Sequence, residues 1–461
     1  MRELHTQLSK VIAAQRTYFS AGKTRAVSSR VDALRQLRLS IHAMEGEISA
    51  ALHEDLGKSA AEGYMTEIGT ALSDLSYFIG KTAALAKGKT VLPALSQMPG
   101  RGSILPEPYD AALIISPWNY PFLLAISPLA AAIAAGNTVV LKPSELAPAT
   151  SRVLCKLIDG CLPSGLCTVA QGGTDTAEFL LEQRFDTIFF TGSSRVGKIV
   201  YEKAARKLTP VTLELGGKSP CIVDETAKLK LAARRIVFGK FLNCGQTCVA
   251  PDYLYVHESV QEKLFDCLKA EIARQYGKEP LENPQYGRII NAGHFRRLSA
   301  FLSSEQVAFG GEQHEEALQI APTLLRNVSL SDAVMQEEIF GPILPILPYA
   351  SLDTVMAEIA AKPKPLALYL FSENRKTQKR VMENLSFGGG CVNDTILHLS
   401  SHRLPFGGVG ESGIGAYHGA FGFQAFSHYK GVLHQSTRLD VPLRYAPYGR
   451  ATLRLLRRIL R

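Results

Sequence analysis

Hydrophobic residues near the start of the chain recur every three or four positions, with charged side chains between them. The repeat runs through Val31, Leu34, Leu37, Ile41, Met44, Ile48 and Leu52. A repeat close to 3.6 residues places apolar side chains along one face of an α-helix. The pattern therefore predicts a layer of amphipathic helices within residues 1–90.

From residue 111 onward the pattern changes to short apolar runs that are separated by segments of helical length. Five runs predict buried strands: Ala111–Ser116, Thr138–Leu141, Leu166–Ala170, Thr187–Phe190 and Val211–Leu215. Two of the segments between them begin at Pro121 and Pro148, and proline is common in the first turn of a helix. Alternating strands and helices build a parallel sheet with helices on both faces. A second α/β region follows from Lys218, so we predict an α/β fold with two sheet-containing parts.

The uncharged stretch Ala111–Leu141 is long enough to cross a bilayer. Its continuity is interrupted by Pro117, Pro121, Pro128, Gly136 and Asn137. These residues divide the stretch into a strand, a helix and a second strand, as in a buried α/β segment. We therefore expect no membrane span there.

The composition is that of a globular protein, with 46% hydrophobic and 20% charged residues. Lys and Arg outnumber Asp and Glu by 51 to 42, which gives a net charge of +9. Most basic residues are scattered, and no aromatic RNA-binding platform or zinc-finger spacing accompanies them. We therefore expect no nucleic acid partner.

The tail from Arg444 to Arg461 concentrates basic and apolar residues. Its leucines at 453, 456 and 460 share one helical face, and arginines occupy other positions: Arg450, Arg454, Arg457, Arg458 and Arg461. This pattern predicts a surface helix that docks on its own protein or, as the less favoured alternative, on anionic lipid.

The eight cysteines lack the regular spacing of a disulfide framework and include no CxxC pair. Met1–Ser20 contains charged residues and no unbroken apolar core of a signal peptide. We therefore expect a reducing location, the cytoplasm. Cys244 and Cys248 lie four residues apart, but two thiolates without a nearby third Cys or a His make no zinc site. We expect no metal.

Three side chains are candidate catalytic groups. Cys248 lies in the small polar loop 243–248, where a ligand can reach a thiol, although a free cysteine is more often a small buried hydrophobe. Glu214 ends an apolar run, where burial raises a carboxyl pKa towards that of a general base; the alternative is an exposed strand end. Asn119 lies between a predicted strand and a helix that starts with proline. There its side-chain amide and nearby backbone N–H groups can bind an anion, or the side chain can cap the helix.

A second group of residues fits a nucleotide. The turn from Phe190 to Gly197 follows a predicted strand and enters a helix, which is the context of a phosphate-binding turn, although it is not GxGxxG. Lys142 and Glu145 follow a neighbouring strand. A cation and a carboxylate suit the phosphates and ribose of an adenosine group.

Seven blocks, in order along nearly the whole chain, resemble the aldehyde dehydrogenase superfamily. The blocks are Ser116–Pro121, Leu141–Glu145, Phe190–Ser193, Leu213–Lys218, Gly245–Cys248, Glu337–Pro342 and Pro405–Gly408. The residues at 245–253 and 415–419 are similar to the class 3 branch, which includes fatty, aromatic and coniferyl aldehyde dehydrogenases. The resemblance implies a Rossmann-like cofactor domain, an α/β catalytic domain and a small oligomerisation element.

The resemblance also implies a mechanism. Cys248 would attack an aldehyde, and Asn119 and the backbone N–H of Cys248 would hold the resulting oxyanion. Glu214, or a water next to it, would activate the thiol, and Glu214 would later activate the water that hydrolyses the thioester. The product would be a carboxylic acid. NAD is the expected cofactor, because Glu145 accepts a bond from a ribose 2′-hydroxyl and repels a 2′-phosphate. NADP is expected to be accepted as well.

The implied binding residues form two sets. The cofactor set is Trp118, Lys142, Glu145, Gly192, Ser193, Gly197, Glu338 and Phe340. The set for an apolar aliphatic or aromatic aldehyde is Tyr64, Tyr120, Thr395, Phe406 and His418.

The implied organisation has three parts. Residues 1–90 and 110–217 form the cofactor-binding part, residues 218–420 carry the thiol, and residues 91–109 and 421–461 bridge a homodimer. Four alternatives stay open: a dedicated coniferyl aldehyde dehydrogenase, a coenzyme A-acylating dehydrogenase, a cysteine hydrolase, and a catalytically inactive binding protein. We also hypothesise that oxidation links Cys244 to Cys248.

Overall fold

A computed structural model of the protein describes residues 2–94, 97–302, 305–440 and 444–459. Helices occupy both the N-terminal part and the connections between strands. The α-helices are α1 (Arg2–Ser20), α2 (Val27–Ala43), α3 (Glu45–Leu56), α4 (Ala60–Gly63), α5 (Gly69–Leu85), α6 (Leu123–Ala135), α7 (Pro148–Cys161), α8 (Thr174–Glu182), α9 (Ser194–Ala205), α10 (Leu229–Phe241), α11 (Gln261–Tyr276), α12 (Ala292–Ser299), α13 (Ala333–Gln336), α14 (Leu352–Ala360), α15 (Arg375–Asn384), α16 (Gly419–Ala425) and α17 (Arg450–Ile459). A π-helix spans Tyr64–Ile68, and 3₁₀ turns include Leu242–Gly245 and Leu397–Ser400.

The strands are short and mostly buried. They are β1 (Lys89–Val91), β2 (Gly100–Pro108), β3 (Ala111–Ile115), β4 (Thr138–Lys142), β5 (Cys167–Val169), β6 (Thr187–Thr191), β7 (Val211–Glu214), β8 (Pro220–Val223), β9 (Tyr253–His257), β10 (Val307–Phe309), β11 (Gln313–His314), β12 (Gln319–Ile320), β13 (Thr323–Leu325), β14 (Ile343–Tyr349), β15 (Ala367–Phe371), β16 (Gly389–Val392), β17 (Gly413–Ile414) and β18 (Ser427–Gln435). The five runs that predicted strands are β3 to β7, so that prediction is confirmed.

The first sheet has the order β17-β7-β6-β3-β4-β5 among the described residues. Its strands β3 to β7 are parallel, and β17 is an antiparallel edge strand. Ile115 lies opposite Lys142 in β4 and Phe190 in β6, and Thr191 lies opposite Glu214 in β7. The carboxyl ends of four strands therefore meet at one edge, where ligands of parallel sheets bind.

Helices cover both faces of this sheet, which confirms the predicted α/β fold. Ala112, Ile114 and Phe189 point to one face and pack against α2, α5 and α6 in one core. Leu113 and Phe190 point to the other face, against α1, α8 and α9. This alternation follows from the two-residue period of a strand, and the uninterrupted hydrophobic runs follow from burial on both faces.

The N-terminal residues form the predicted amphipathic layer. The apolar repeat is divided between α2 and α3, and all its members are buried except Met44, which is half-buried. Met44 lies between the two helices as the cap residue of both. Its side chain packs at the edge of the core that most of the other members of the repeat fill.

A second sheet carries the C-terminal half of the fold, in the order β10-β13-β14-β9-β8-β15-β16. All neighbours are parallel except β10 and β13. The two-stranded pair β11 and β12 lies between β10 and β13 in sequence. Although β17 comes late in the chain, it completes the first sheet, so the two sheets are not separate in sequence.

The Pro- and Gly-rich segment 91–109 contains a strand that the sequence did not predict. β2 lies between β1 and β18 in an antiparallel three-stranded sheet. β1 pairs only with Gly102–Ile104, so Pro106 and Pro108 fall where β2 has one neighbour. Proline is tolerated there because no ladder hydrogen bond is needed on the open side.

The helical prediction for the tail holds for α17, while Leu460 and Arg461 lie outside the described residues. Leu453 is 50% exposed, whereas Leu456 on the same predicted face is half-buried. No described helix combines the length and apolar character that a bilayer crossing requires. The uncharged stretch Ala111–Leu141 forms β3, α6 and β4, as predicted.

Candidate functional site

A cavity of about 520 Å³ contains two of the three candidate catalytic side chains. Cys248 and Glu214 both line it, although they come from the two different sheet regions. Four of the five residues predicted for the aldehyde pocket also line the cavity: Tyr64, Tyr120, Phe406 and His418. The remaining wall is largely apolar and includes Met65, Leu123, Leu124, Phe238, Leu242, Val249, Ile396, Leu397, Leu399 and Tyr417.

Thr395, the fifth residue predicted for this pocket, is not part of the wall. Its side chain is fully buried and donates a hydrogen bond of 2.6 Å to the carbonyl of Arg235. The neighbouring residues Ile396 and Leu397 line the cavity instead. A one-residue offset of this kind depends on the backbone direction of a loop, which the sequence pattern does not specify.

Glu214 occupies a polar row at the carboxyl edge of the first sheet. Ser116 follows β3, Thr191 ends β6 and Glu214 ends β7, and these strands are adjacent in the sheet. All three side chains carry buried oxygens that have no hydrogen-bond partner within the described chain. Unpaired buried oxygens are costly in a native protein. The row therefore marks a place where a polar ligand or water completes the structure.

Burial raises the pKa of the Glu214 carboxyl well above its usual value. Both of its carboxylate oxygens are among the unpaired buried atoms. A carboxyl in such surroundings stays protonated to higher pH than an exposed one, and once ionised it is a stronger proton acceptor. The geometry thus satisfies the requirement for a general base.

Cys248 follows a strained turn. Asn243, Cys244 and Gly245 all have left-handed backbone angles, with φ of 53°, 52° and 72°. Such conformations are unfavourable for residues other than glycine and persist only where the surroundings enforce them. A Cβ at Gly245 would lie 2.2 Å from the carbonyl oxygen of Gly341, so only glycine fits there.

Burial raises the pKa of the Cys248 thiol to about 12, and the nearby carboxyls of Glu338 and Glu214 act in the same direction. The backbone N–H groups of Cys248 and Val249 act in the opposite direction, because they donate to the sulfur. The thiol is therefore protonated at neutral pH before a ligand enters. An attack by sulfur requires a proton acceptor in the same cavity.

Asn119 is tied to the loop that precedes Cys248. Its Nδ2 donates a hydrogen bond of 3.0 Å to the carbonyl of Gln246, and the Nδ2 of Asn243 donates to the carbonyl of Asn119 at 2.8 Å. Gln246 is fully buried and bridges the loop to residues 288 and 290. These bonds hold the Asn119 amide against the loop that leads to Cys248.

A buried ion pair that the sequence analysis missed supports this turn. Lys58 Nζ lies 2.5 Å from Glu67 Oε1, and both side chains are fully buried. Lys58 also donates to the carbonyl of Asn119 at 3.1 Å, and Glu67 accepts from the backbone N–H groups of Phe122 and Leu123. The pair therefore fixes the segment that leads from Asn119 into α6. A lysine and a glutamate within predicted helices carry no local signal of this role.

Glu338 lies in a charged cluster on the other side of Cys248. Burial raises the pKa of its carboxyl to about 8, and Asp252 adds to this effect. A Cβ at Gly216 would lie 2.0 Å from Glu338 Oε2, so the carboxyl rests directly on that glycine. Lys240 is fully buried, and its Nζ has no hydrogen-bond partner among the described residues. A polar ligand between these groups would satisfy both charges.

The predicted nucleotide residues lie at the carboxyl edge of the first sheet. Lys142 ends β4 and its Nζ lies 2.6 Å from Glu145 Oε2. Burial opposes ionisation of Glu145, but the hydrogen bond from Lys142 leaves its pKa below the usual value. Gly192 and Ser193 precede α9, and Ser193 caps that helix by accepting from Val196 N at 3.4 Å. Gly197 lies in the first turn of the same helix.

Trp118 and Phe340 lie close together although they are 222 positions apart in the chain. Their ring centroids lie 5.3 Å apart at an interplanar angle of 79°. His294 packs against the other part of the Trp118 ring at 5.0 Å. Phe340 has a left-handed φ of 50°, which directs its ring away from the path of β14. The two aromatic residues thus border the region between Glu338 and the first sheet.

A polar patch lies in the otherwise apolar cavity. His402 Nε2 donates to Asp74 at 2.7 Å, and Ser127 Oγ donates to the other carboxylate oxygen at 2.5 Å. His418 stacks on Phe406, with centroids 5.0 Å apart, and burial lowers its pKa to about 4. Neither His402 nor His418 has a hydrogen bond to Cys248 in the described structure.

Cys244 faces away from the cavity. It packs in the second core beside Tyr286, whereas Cys248 lines the cavity. Burial raises the pKa of the Cys244 thiol, which makes it a poor nucleophile. Both thiols are free, and an oxidative link between them stays a prediction. Within the ranges that the structure covers, no cluster of three or more Asp, Glu, His or Cys side chains could hold a metal ion.

The fold and this cavity define a class of protein. A ligand site at the carboxyl edge of a parallel sheet is typical of α/β enzymes that use a nucleotide cofactor. The sequence model described as Aldehyde dehydrogenase family matches residues 3–432. The chain therefore belongs to the aldehyde dehydrogenase family, and the resemblance drawn from the seven blocks is confirmed. It is an oxidoreductase that oxidises an aldehyde with a nicotinamide cofactor.

Curated relatives match over almost their whole length. The chain is 48% identical over 435 residues to 4,4′-diaponeurosporen-aldehyde dehydrogenase from Staphylococcus aureus (strain NCTC 8325 / PS 47), covering 94% of this chain and 95% of that protein. It is 45% identical over 459 residues to Aldehyde dehydrogenase family 3 member H1 from Arabidopsis thaliana, with coverages of 98% and 95%.

Solved structures give the same assignment. The substrate-bound state of Staphylococcus aureus AldH superposes with a TM-score of 0.97 at 45% identity, covering 98% of this chain and 99% of that one. An NAD-dependent aldehyde dehydrogenase from Sinorhizobium meliloti has a TM-score of 0.86 at 32% identity, with coverages of 95% and 88%. These similarities extend beyond a shared fold, because the sequences also agree.

Proposed function

We propose that the enzyme oxidises an apolar aldehyde to the carboxylic acid through a covalent intermediate on Cys248, with NAD as the preferred cofactor. One observation carries the proposal. A single apolar cavity contains the thiol of Cys248 and the unpaired carboxyl of Glu214, so a nucleophile and a base face the same bound molecule. The raised pKa of both groups suits proton transfer between them.

In the first step Cys248 sulfur bonds to the aldehyde carbon, the carbonyl π bond breaks, and the thiol proton passes to the carboxylate of Glu214. The negative oxygen is held by the backbone N–H of Cys248 and by the second N–H of the Asn119 amide, since the first is engaged by Gln246. Loss of one oxyanion donor typically costs about 10²–10³ in rate. The Lys58–Glu67 pair keeps this donor in place.

A nicotinamide, when bound, supplies the acceptor for the hydride that leaves the aldehyde carbon. The thioester that stays on Cys248 then meets a water at Glu214. Glu214 first releases the thiol proton to solvent, and its carboxylate then takes a proton from that water as the water oxygen attacks the thioester carbon and the carbon–sulfur bond breaks. Cys248 regains its proton and the acid departs. The two proton transfers need one base that serves twice, which the position of Glu214 in the cavity allows.

The residues present fit a dinucleotide. The unpaired oxygens of Ser116 and Thr191 lie beside the turn that enters α9, where a helix N-terminus attracts phosphate. Lys142, Glu145, Gly192, Ser193 and Gly197 would hold the adenosine end. Glu338 would accept bonds from the nicotinamide ribose, and Trp118 and Phe340 would pack beside the ring. The close contact of Glu338 with Gly216 leaves room for this group.

NAD is preferred over NADP in this proposal because of Glu145. Its ionised carboxylate, held by Lys142, accepts a bond from a 2′-hydroxyl and repels a 2′-phosphate. The side chain is 43% exposed, so the repulsion is partly screened and NADP is also accepted. The ratio of kcat/KM for the two cofactors measures this preference, and Glu145→Gln should move the ratio towards NADP.

The test of the function is NADH formation at 340 nm with aldehydes from hexanal to hexadecanal, benzaldehyde and coniferaldehyde. Cys248→Ala should abolish turnover, and Cys244→Ser serves as the matched control because Cys244 faces away from the cavity. The apolar wall predicts that long-chain and aromatic aldehydes have the highest kcat/KM. Turnover that requires coenzyme A, or ester hydrolysis without NAD, would establish one of the two rival enzymes instead.

We also propose that the enzyme is a cytoplasmic homodimer. The three-stranded sheet of β1, β2 and β18 supports the dimer, because β18 is exposed along almost its whole length and presents Tyr429 and Leu433. An open strand edge with apolar side chains favours pairing with another chain. Free thiols at all eight cysteines fit a reducing compartment. In this proposal the segments 91–109 and 421–461 join the subunits, and residues 1–90 with 110–217 and residues 218–420 form the two larger parts.

A further inference from the structure

The polar patch formed by Asp74, Ser127 and His402 interrupts the apolar wall of the catalytic cavity. All three residues line the cavity, and they come from α5, from α6 and from the segment after the 3₁₀ turn Leu397–Ser400. The Asp74 side chain is 10% accessible and that of His402 is 24% accessible. Apolar side chains of similar volume often replace a buried charged pair without loss of stability. A carboxylate–imidazole pair in the wall of an apolar cavity therefore indicates a role towards a ligand.

The hydrogen bonds within the patch leave it rich in acceptors. Asp74 accepts from His402 Nε2 at 2.7 Å and from Ser127 Oγ at 2.5 Å. A carboxylate only accepts, so Nε2 carries the hydrogen, and Nδ1 of the neutral imidazole is then an acceptor. Nδ1 forms no hydrogen bond with any described residue. The unused sites are therefore lone pairs on Nδ1, on the Ser127 oxygen and on the Asp74 carboxylate.

Several neighbouring polar groups of the wall have also donated their protons. Three hydroxyls donate to backbone carbonyls of nearby residues: Thr66, Thr70 and Ser400. Burial lowers the pKa of His418 to about 4, so this imidazole adds no positive charge beside the patch. A bound ether or carbonyl would find no proton at the patch, and a bound carboxylate would meet the like charge of Asp74. A bound hydroxyl can donate to it.

The patch lies away from the reacting carbon. Tyr120 contacts the loop of Cys248 through a 2.6 Å bond to Thr247. Ser127 lies four residues beyond Leu123, the first residue of α6, which is a rise of about 6 Å along that helix. No hydrogen bond among the described residues joins the patch to the catalytic thiol. A group bound at the patch is therefore separated from the aldehyde carbon by several atoms of the same molecule.

We propose that the patch of Asp74, Ser127 and His402 is a subsite for a hydroxyl group, so that the enzyme favours an apolar aldehyde with a hydroxyl at a distance from its aldehyde carbon. The hydroxyl donates to His402 Nδ1 or to the Asp74 carboxylate, while the chain between the two ends contacts the apolar wall. One such hydrogen bond favours the hydroxylated substrate by about tenfold. The inference rests on the proposed apolar substrate, and its test separates the two.

Matched aldehydes test the subsite on the unmodified enzyme, at about pH 8.5 where an ordinary imidazole is neutral. The kcat/KM of ω-hydroxydecanal should exceed that of undecanal by about tenfold. The methyl ether ω-methoxydecanal accepts but cannot donate, so it should be no better than undecanal. The same comparison from ω-hydroxyoctanal to ω-hydroxydodecanal finds the chain length that reaches the patch.

Two outcomes separate this subsite from the proposed function. Turnover of undecanal with no preference for the hydroxyl at any chain length would overturn the subsite alone, and so would an equal gain from the methyl ether. Absence of turnover with every one of these aldehydes would overturn the proposed apolar substrate, and the subsite with it.

The variant D74V/S127A/H402F replaces the whole patch by apolar side chains, so no partner stays buried without its bond. Phenylalanine keeps a ring against Tyr77, which stacks on His402 with centroids 4.8 Å apart. The ratio of kcat/KM for ω-hydroxydecanal over undecanal should fall by about tenfold or more. The matched control E225L/H257F removes a carboxylate–imidazole pair outside the cavity, 3.7 Å apart, and should keep the ratio. An unchanged ratio in the triple variant would refute the subsite, and the aldehyde comparison decides the question if that variant does not fold.

Discussion

Single residues in this enzyme owe their chemistry to being buried without partners. Glu214 and Cys248 lie in one cavity, and burial is the first cause of the raised pKa of each. A buried carboxyl holds its proton to higher pH, and a buried thiol does the same. Cys248 therefore starts the reaction as a thiol, and Glu214, once ionised, is a stronger proton acceptor than an exposed carboxylate.

Glu214→Gln should lower kcat by about 10²–10³, since it removes a general base. The folded carboxyl has a raised pKa, so folding takes up a proton when the pH lies above the unfolded value of about 4.5. That uptake lowers stability by up to about 1.4 kcal/mol for each pH unit as pH rises above that value. The variant should show a shallower fall of stability as pH rises above that value. Urea unfolding at several pH values measures this slope, and an unchanged slope would contradict the burial argument.

Glu338 gives a second prediction at this scale. Its pKa of about 8 means that the carboxyl is mostly protonated at neutral pH and ionises as pH rises through 8. An ionised carboxylate accepts stronger hydrogen bonds from ribose hydroxyls. The Kd for NAD should therefore fall between pH 7 and 9 in the unmodified enzyme and stay flat in Glu338→Gln. Fluorescence titration of binding, without aldehyde, separates this effect from catalysis.

At the scale of elements, catalysis depends on how strand ends and turns are held. The turn from Asn119 to α6 is held by Lys58 and Glu67, which come from the N-terminal helical layer. Removing one member of a buried pair leaves an uncompensated charge. The pair therefore links the N-terminal helical layer to the proposed oxyanion site at Asn119.

Lys58→Met should destabilise the protein by about 3–5 kcal/mol, because Glu67 is left buried and unpaired. The double variant K58M/E67M should recover most of this stability but not kcat, since the carbonyl of Asn119 then keeps only its bond from Asn243. Its KM for aldehyde should change less than kcat. Thermal unfolding and steady-state kinetics on the same samples provide both readouts. Recovery of kcat together with stability would show that the pair is structural only.

At the scale of the whole molecule, three of the sheets occupy different positions relative to the cavity. The first two meet at the cavity, whereas the sheet of β1, β2 and β18 stands apart with exposed strands. A stable dimer interface needs about 800 Å² from each partner. In the proposed dimer, the exposed strand β18 would be the edge that pairs with the partner.

The mass in solution should therefore be twice the chain mass of 50.2 kDa. The variant Y429E/L433E places charges on the exposed strand β18 and should shift the enzyme to monomers. Leu208→Glu, at another highly exposed leucine outside this sheet, is the matched control and should stay dimeric. Light scattering at micromolar concentration distinguishes the two masses. A monomeric unmodified enzyme would refute the dimer.

The sequence by itself determined the parts of this protein that depend on local pattern. The buried strands β3 to β7, the helices between them and the order of the seven family blocks are all readable from hydrophobic spacing and short motifs, since both act within one element. The sequence missed β2, because proline and glycine normally interrupt strands and only its neighbours make that strand acceptable.

Only the tertiary structure decided which distant groups meet. It brought Cys248 and Glu214 into one cavity, placed Ile396 there in preference to Thr395, and joined Lys58 to Glu67 behind Asn119. These outcomes depend on backbone directions and burial that arise from the packing of two sheets, and no local pattern encodes them. The chemical type of each side chain therefore follows from the sequence, whereas its pKa and its contacts depend on the fold.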